Sequence, residues 1–113
     1  MTISCCDVRE GMAAISLSGQ MTIGSPHETI QVLIEDLLRQ GKRTIIFDLA
    51  EVTALDSTGV GHFIASYNKI TAAGGEMRIA GASGRILSTF QISKLDTVFP
   101  FYVTVGDAAA ENP

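Results

Sequence analysis

A chain of 113 residues and 12.0 kDa holds one compact domain. With 46% apolar and 18% charged residues, among them 32 Ile, Leu, Val or Phe, it can bury a core without disulfides or metal and does not have the composition of a disordered chain. Eight basic against twelve acidic residues leave a net charge of −4 with no Lys/Arg cluster, which argues against direct nucleic-acid binding.

The chain opens on Met1-Thr2-Ile3-Ser4-Cys5-Cys6-Asp7, which has neither the basic start nor the apolar stretch of a secretory signal. Alternation over residues 2–8 and again over 12–18, with Glu10-Gly11 between them, predicts a β-hairpin. Cys5 and Cys6 are neighbours on its first strand, point to opposite faces and fail the spacing of a zinc or redox motif. They read as small apolar residues of an edge strand in a reducing cytoplasm. Ser25, Pro26 and Glu28 predict a capped helix start with a capping box. Ile30, Leu33, Ile34, Leu37 and Leu38 then form one apolar stripe, closed by Gly41.

Residues 43–49 read as a buried strand, followed by a short connection. Val60, Phe63, Ile64, Tyr67 and Ile70 mark a second amphipathic helix ending at Gly74-Gly75. Glu76 to Ala80 is a short strand with Met77 and Ile79 on one face, and Ser83 is placed to cap a third helix carrying Ile86, Leu87 and Phe90. Phe99 to Val105 reads as a last strand, confined to an edge by Pro100, and 106–113 as a loose tail. The longest apolar runs, such as Ile45-Ile46-Phe47, are far shorter than the about 20 residues of a membrane-spanning helix, so no membrane insertion is expected. The order β-β-α-β-α-β-α-β predicts a single α/β domain over 1–113, with a core of about 3–105. Its mixed sheet has an antiparallel hairpin followed by parallel strands in β-α units.

Most catalytic constellations are absent. Ser57 and His62 are separated by about 140° in helical projection, too far for a nucleophile–base pair, and His27 and His62 on separate elements make a poor metal site. Gly59-Val60-Gly61 lacks the third glycine of a dinucleotide fingerprint, since residue 64 is Ile, and no Gly-x-x-x-x-Gly-Lys loop occurs. Asp56-Ser57-Thr58-Gly59 has one residue too many for the Asp-Thr-Gly of aspartic proteases. What stands out is the junction Leu55-Asp56-Ser57-Thr58-Gly59-Val60-Gly61-His62-Phe63, just past a buried strand, where open α/β sheets present functional groups. Asp56 or Ser57 can cap the helix there. Two glycines in its first turn, each costing about 0.8–1 kcal/mol relative to Ala in a helix interior, point to close approach by another surface.

The segments Thr44-Ile45-Ile46-Phe47-Asp48-Leu49, Val52 and Leu55-Asp56-Ser57-Thr58-Gly59-Val60-Gly61 resemble the signature of STAS domains. Within that family the chain is most similar to bacterial anti-sigma factor antagonists. Ile15-Ser16-Leu17-Ser18-Gly19, Tyr67-Asn68-Lys69-Ile70 and Ala73-Gly74-Gly75-Glu76-Met77-Arg78-Ile79 extend the resemblance over about 3–105. It implies a protein that binds a kinase-type anti-sigma factor when unphosphorylated and so releases a sigma factor. It also implies that phosphorylation by that kinase ends the binding and that a protein phosphatase restores it. Carried over by position, Ser57 is the phosphoacceptor and Thr58 the second choice; Asp56, Ser57, Thr58, Gly59, Gly61 and His62 are expected to meet the partner. Thr22 stands where many members carry an acidic residue. On this reading the chain is the kinase's substrate rather than an enzyme, with no cofactor or metal of its own.

A phosphate adds about −1.5 to −2 charge, and a helix N-terminus can accommodate it without unfolding. With Asp56 adjacent and no Lys or Arg close in sequence, the new charge would act at an interface. Reversing a 99:1 equilibrium needs about a 10⁴-fold change in relative binding. The competing readings are a STAS docking or accessory subunit of a transporter or signalling assembly, and a small-molecule or nucleotide-binding domain or enzyme, for which no phosphate loop is present.

Overall fold

The computed structural model describes residues 1–110. Five strands, β1 (Thr2–Arg9), β2 (Met12–Met21), β3 (Thr44–Leu55), β4 (Glu76–Ala80) and β5 (Phe101–Tyr102), form one sheet in sequential order. β1 and β2 pair antiparallel, and every later neighbour is parallel, so the mixed α/β sheet is as expected. The helices are α1 (His27–Arg39), α2 (Ser57–Ala72), α3 (Gly84–Ile92) and α4 (Val105–Ala110), with a 3-10 turn at Leu95–Thr97. Among the described residues no helix is long and apolar enough to cross a membrane.

Side-chain alternation assigns the two sheet faces. Ala13, Ile15 and Leu17, Ile45, Phe47 and Leu49, and Met77 and Ile79 point one way and are buried against Ile30, Ile34 and Leu37 of α1, Val60, Phe63 and Ile70 of α2, and Ile86 and Phe90 of α3. An aromatic chain runs through this core: Phe47, Phe63 and Phe90 meet edge to face at 5.6 and 5.5 Å, and Phe90 meets Phe101 at 5.2 Å. The opposite face carries Met12, Ala14, Ile46 and Ala80, and α4 covers them with Ala108.

Five expectations are corrected. Ser25 does not cap α1: its hydroxyl donates to the Gln20 carbonyl at 3.0 Å and accepts from the Thr22 amide at 2.8 Å. Pro26 holds the N-cap position, and no side chain caps the helix. Ser83 occupies the N-cap of α3 but makes no capping hydrogen bond. β3 does not stop at Leu49. It continues to Leu55 because extra residues are absorbed where Ser16 pairs Asp48 and Ser18 pairs Glu51, and again before Gln20 pairs Ala54. The Asp48 carboxylate accepts the Ala50 amide at 3.1 Å within that irregularity, and the added residue turns Val52 inward.

The last strand shrinks to two residues. Pro100 supplies only its carbonyl, which accepts from Ile79 at 3.0 Å. Finally, residues 105–110 are not a loose tail: Thr104 Oγ1 accepts the Asp107 amide at 3.1 Å, and Ala108 is fully buried. Arg78, only 2% exposed, donates to the Ala108 carbonyl at 2.6 Å and to Glu76 at 2.6 Å. The rest of the expected tail, 111–113, lies outside the described residues.

The aromatic chain gives a test. Phe90→Ala is expected to lower the unfolding free energy by about 3–5 kcal/mol in urea denaturation. Ile92→Ala, at a position 83% exposed on the same helix, should stay within about 0.5 kcal/mol of the parent.

Candidate functional site

The parallel strands β2 and β3 end level with one another, Met21 opposite Leu55. Two connections leave from there: residues 22–26 lead into α1, and Asp56 leads directly into α2. Asp56 is the N-cap of α2 in an extended conformation. One carboxylate oxygen accepts the Gly59 amide at 2.8 Å, and the other accepts the Ile23 amide at 3.3 Å. One side chain thus caps the helix and ties it to the neighbouring connection. These bonds, that from Gly59 foremost, hold the Asp56 carboxyl below the usual carboxylate range, with partial desolvation opposing them. The cap is therefore complete above the ordinary Asp value of about 3.9 and is lost as pH falls through the lower folded value.

Ser57 is the first residue of α2 and is exposed, while Thr58 is half-buried. Gly61, Ile64 and Asn68 follow Ser57 on the exposed side of the helix. Ile64, expected on the apolar stripe, is instead 40% exposed, and Ile23 in the adjoining connection is 80% exposed. Arg85, at the start of α3, lines a cleft with Thr53, Ala54 and Leu55, so the fold brings to the margin of this junction a basic group that the local sequence lacks.

The two glycines play different parts. Gly59 is buried, and a Cβ there would stand 1.9 Å from the Met21 carbonyl oxygen and 2.8 Å from a Leu55 methyl. The close approach at Gly59 is therefore made by the chain itself: the first turn of α2 lies on the end of β2, and no outside surface is required to explain it. At Gly61 a Cβ would meet nothing within 4 Å.

His62 does not turn toward Ser57. Its ring stacks on that of His27, with centroids 4.1 Å apart and planes 28° from parallel. On sequence grounds the two histidines lie on separate elements, so His27 was missed as the neighbour of His62, and of the 22–26 connection only Thr22 was singled out for the site. A signal was present. His27, Gln31 and Glu35 fall on one line of α1 at steps of four, and His62, Ser66 and Lys69 fall on one line of α2. They pair in that order, Gln31 donating to Ser66 at 2.9 Å and Lys69 to Glu35 at 2.5 Å. Among the described residues no cluster of three or more metal-ligating side chains occurs.

With this geometry in place, comparison identifies the family: the STAS domain model matches residues 6–108, and the chain belongs to that family. A curated relative from Thermotoga neapolitana, named as an anti-sigma factor antagonist and TM1081 homolog, is 21% identical over 102 residues, covering 90% of each chain. Two solved structures share the fold. The anti-sigma factor antagonist from Mycobacterium paratuberculosis is 23% identical with a TM-score of 0.79, covering 95% of this chain and 89% of that one. The phosphorylated form of the Bacillus cell fate determinant SpoIIAA is 24% identical with a TM-score of 0.72, covering 95% and 96%.

The two glycines separate packing from exposure. Gly59→Ala is expected to destabilise by about 3 kcal/mol or to prevent folding, since the clash is with backbone. Gly61→Ala should stabilise by up to about 1 kcal/mol. Urea midpoints read both, and a Gly59→Ala protein as stable as the parent would refute the contact.

Proposed function

We propose that this STAS domain is an anti-sigma factor antagonist. In its unmodified state it docks on an anti-sigma factor that is also a serine kinase, frees the sigma factor that this partner holds, and is switched off when the partner phosphorylates Ser57. A protein phosphatase returns it to the binding form. The chain is ligand and substrate, not enzyme, acts as a single unit over its whole length, and works in the cytoplasm.

The observation that carries this reading is an exposed hydroxyl at the entrance of a helix, beside a carboxylate that its own hydrogen bonds keep ionised. Ser57 is more accessible than Thr58, which favours it as the acceptor. The surface around it suits a protein partner. Exposed Ile23 and Ile64 flank Ser57 and Gly61, offering apolar area beside a polar centre. Asp56 acts from beneath by fixing the helix start, and the half-buried His62 borders the surface. Gly59 is left to internal packing.

The same geometry explains how phosphorylation opposes docking. The Gly59 amide that would otherwise receive a phosphate oxygen is already bonded to Asp56. A dianion on Ser57 therefore stands against an existing negative charge and is carried outward into the interface. Burying it against a surface shaped for a hydroxyl costs desolvation and repulsion that the partner does not return.

Incubation with a kinase-type anti-sigma factor and ATP is expected to place one phosphate on Ser57, located by mass spectrometry. Ser57→Ala should bind the partner and resist inactivation. Ser57→Glu should bind more weakly, by less than the about 10⁴-fold that full switching requires, because it carries a single charge. A phosphate found only outside residues 57 and 58 overturns the assignment. Co-purification with a membrane transporter in place of a kinase would favour the accessory-subunit reading.

A further inference from the structure

The seam between α1 and α2 is built from three polar pairs, and the pair nearest Ser57 is the one whose charge can change near neutral pH. The His27 and His62 rings lie face to face at 4.1 Å. The Nδ1 atom of each is buried without a hydrogen-bond partner. A neutral imidazole tolerates this, because an unprotonated Nδ1 only forgoes an acceptance. An imidazolium does not, because both ring nitrogens then carry protons and the buried one has no acceptor. A proton on either ring therefore works against the stack, and a second proton adds direct repulsion across it.

The consequences reach the site because of where His27 sits. It is the first residue of α1, directly after the 22–26 connection, and that connection is held to α2 through the Ile23 amide on the Asp56 carboxylate. We propose that the His27–His62 stack is a proton-operated clasp, closed when both rings are neutral and holding the 22–26 connection against the start of α2, and released when the pair is protonated. The titratable groups acting on His62 are His27 from α1 and Asp56 at the head of α2. Glu35 and Lys69 are paired with each other further along the seam. Burial foremost, and His27 after it, hold the His62 imidazole below its ordinary range, while Asp56 pulls the other way. The clasp is thus complete above about pH 6.5, the ordinary histidine value, and weakens as pH falls from there through the lower folded value.

The clasp is a property of the chain alone; its bearing on partner binding rests on the function proposed above. The test accordingly uses the full chain with no partner. NMR titration from about pH 8 to about pH 5.5 should show His62 titrating below about 6.5, and His27→Gln should return it toward that value. Over the same range, hydrogen exchange at the Ile23 amide, corrected for its intrinsic pH dependence, should lose protection. The loss should reach up to about tenfold per pH unit below about pH 6.5, the limit for one linked proton. In His62→Gln this pH dependence should be flat, and in His27→Gln it should be reduced. Should either variant fail to fold, the wild-type titration and exchange still decide. His62 titrating at the ordinary value, or an Ile23 amide whose protection does not follow His62, overturns the clasp and leaves the Ser57 reading standing. Absence of phosphate on Ser57 overturns that reading and leaves the clasp standing.

Discussion

The junction depends on the contact between the first turn of α2 and the end of β2. Gly59 rests on the Met21 carbonyl with no room for a side-chain carbon. The helix can come that close only because its first turn carries hydrogen at that position. Asp56 then fixes the approach from the other side, capping Gly59 and holding Ile23 with the same carboxylate. Together they set the position and direction of the helix start, and Ser57 is presented as a consequence. The glycine that looks like an opening for a partner is a seat for the protein's own backbone.

Much of this architecture was legible because it rests on periodicity. The apolar stripe of α1, the bounds of β4 and the mixed order of the sheet follow from repeats of 3.6 and 2 together with the rule that strands alternating with helices pair in parallel. The junction was legible for a different reason. Three polar residues and two glycines at a helix start are locally uneconomical, and such departures concentrate where a fold has a task.

What the sequence hid depends on partners distant along the chain. Ser25 has the right type and spacing for a cap, yet its hydroxyl donates to the Gln20 carbonyl at the end of β2 and accepts from the Thr22 amide. The extension of β3 is invisible to alternation, since each added residue reverses the inside–outside pattern that the eye follows. The stacked histidines are brought together only by the packing of α1 on α2. α4 had a faint local signal in Thr104 and Asp107, but the reason it stays down, buried Ala108 and the Arg78 bond to its carbonyl, comes from β4.

The placement of α4 bears on how the domain tolerates attachment. The helices that carry the serine side of the molecule lie over one surface of the sheet, and α4 lies over the other. A fluorophore carried on the exposed Asp107 of α4 would therefore stand across the sheet from Ser57, leaving the front unobstructed. Added bulk at the amino end would begin on β1, beside the open rim of the sheet and next to Gly19, whose ideal side-chain position is 3.4 Å from Met1. Asp107 is therefore a better anchor than the amino end for immobilising this domain on a sensor surface.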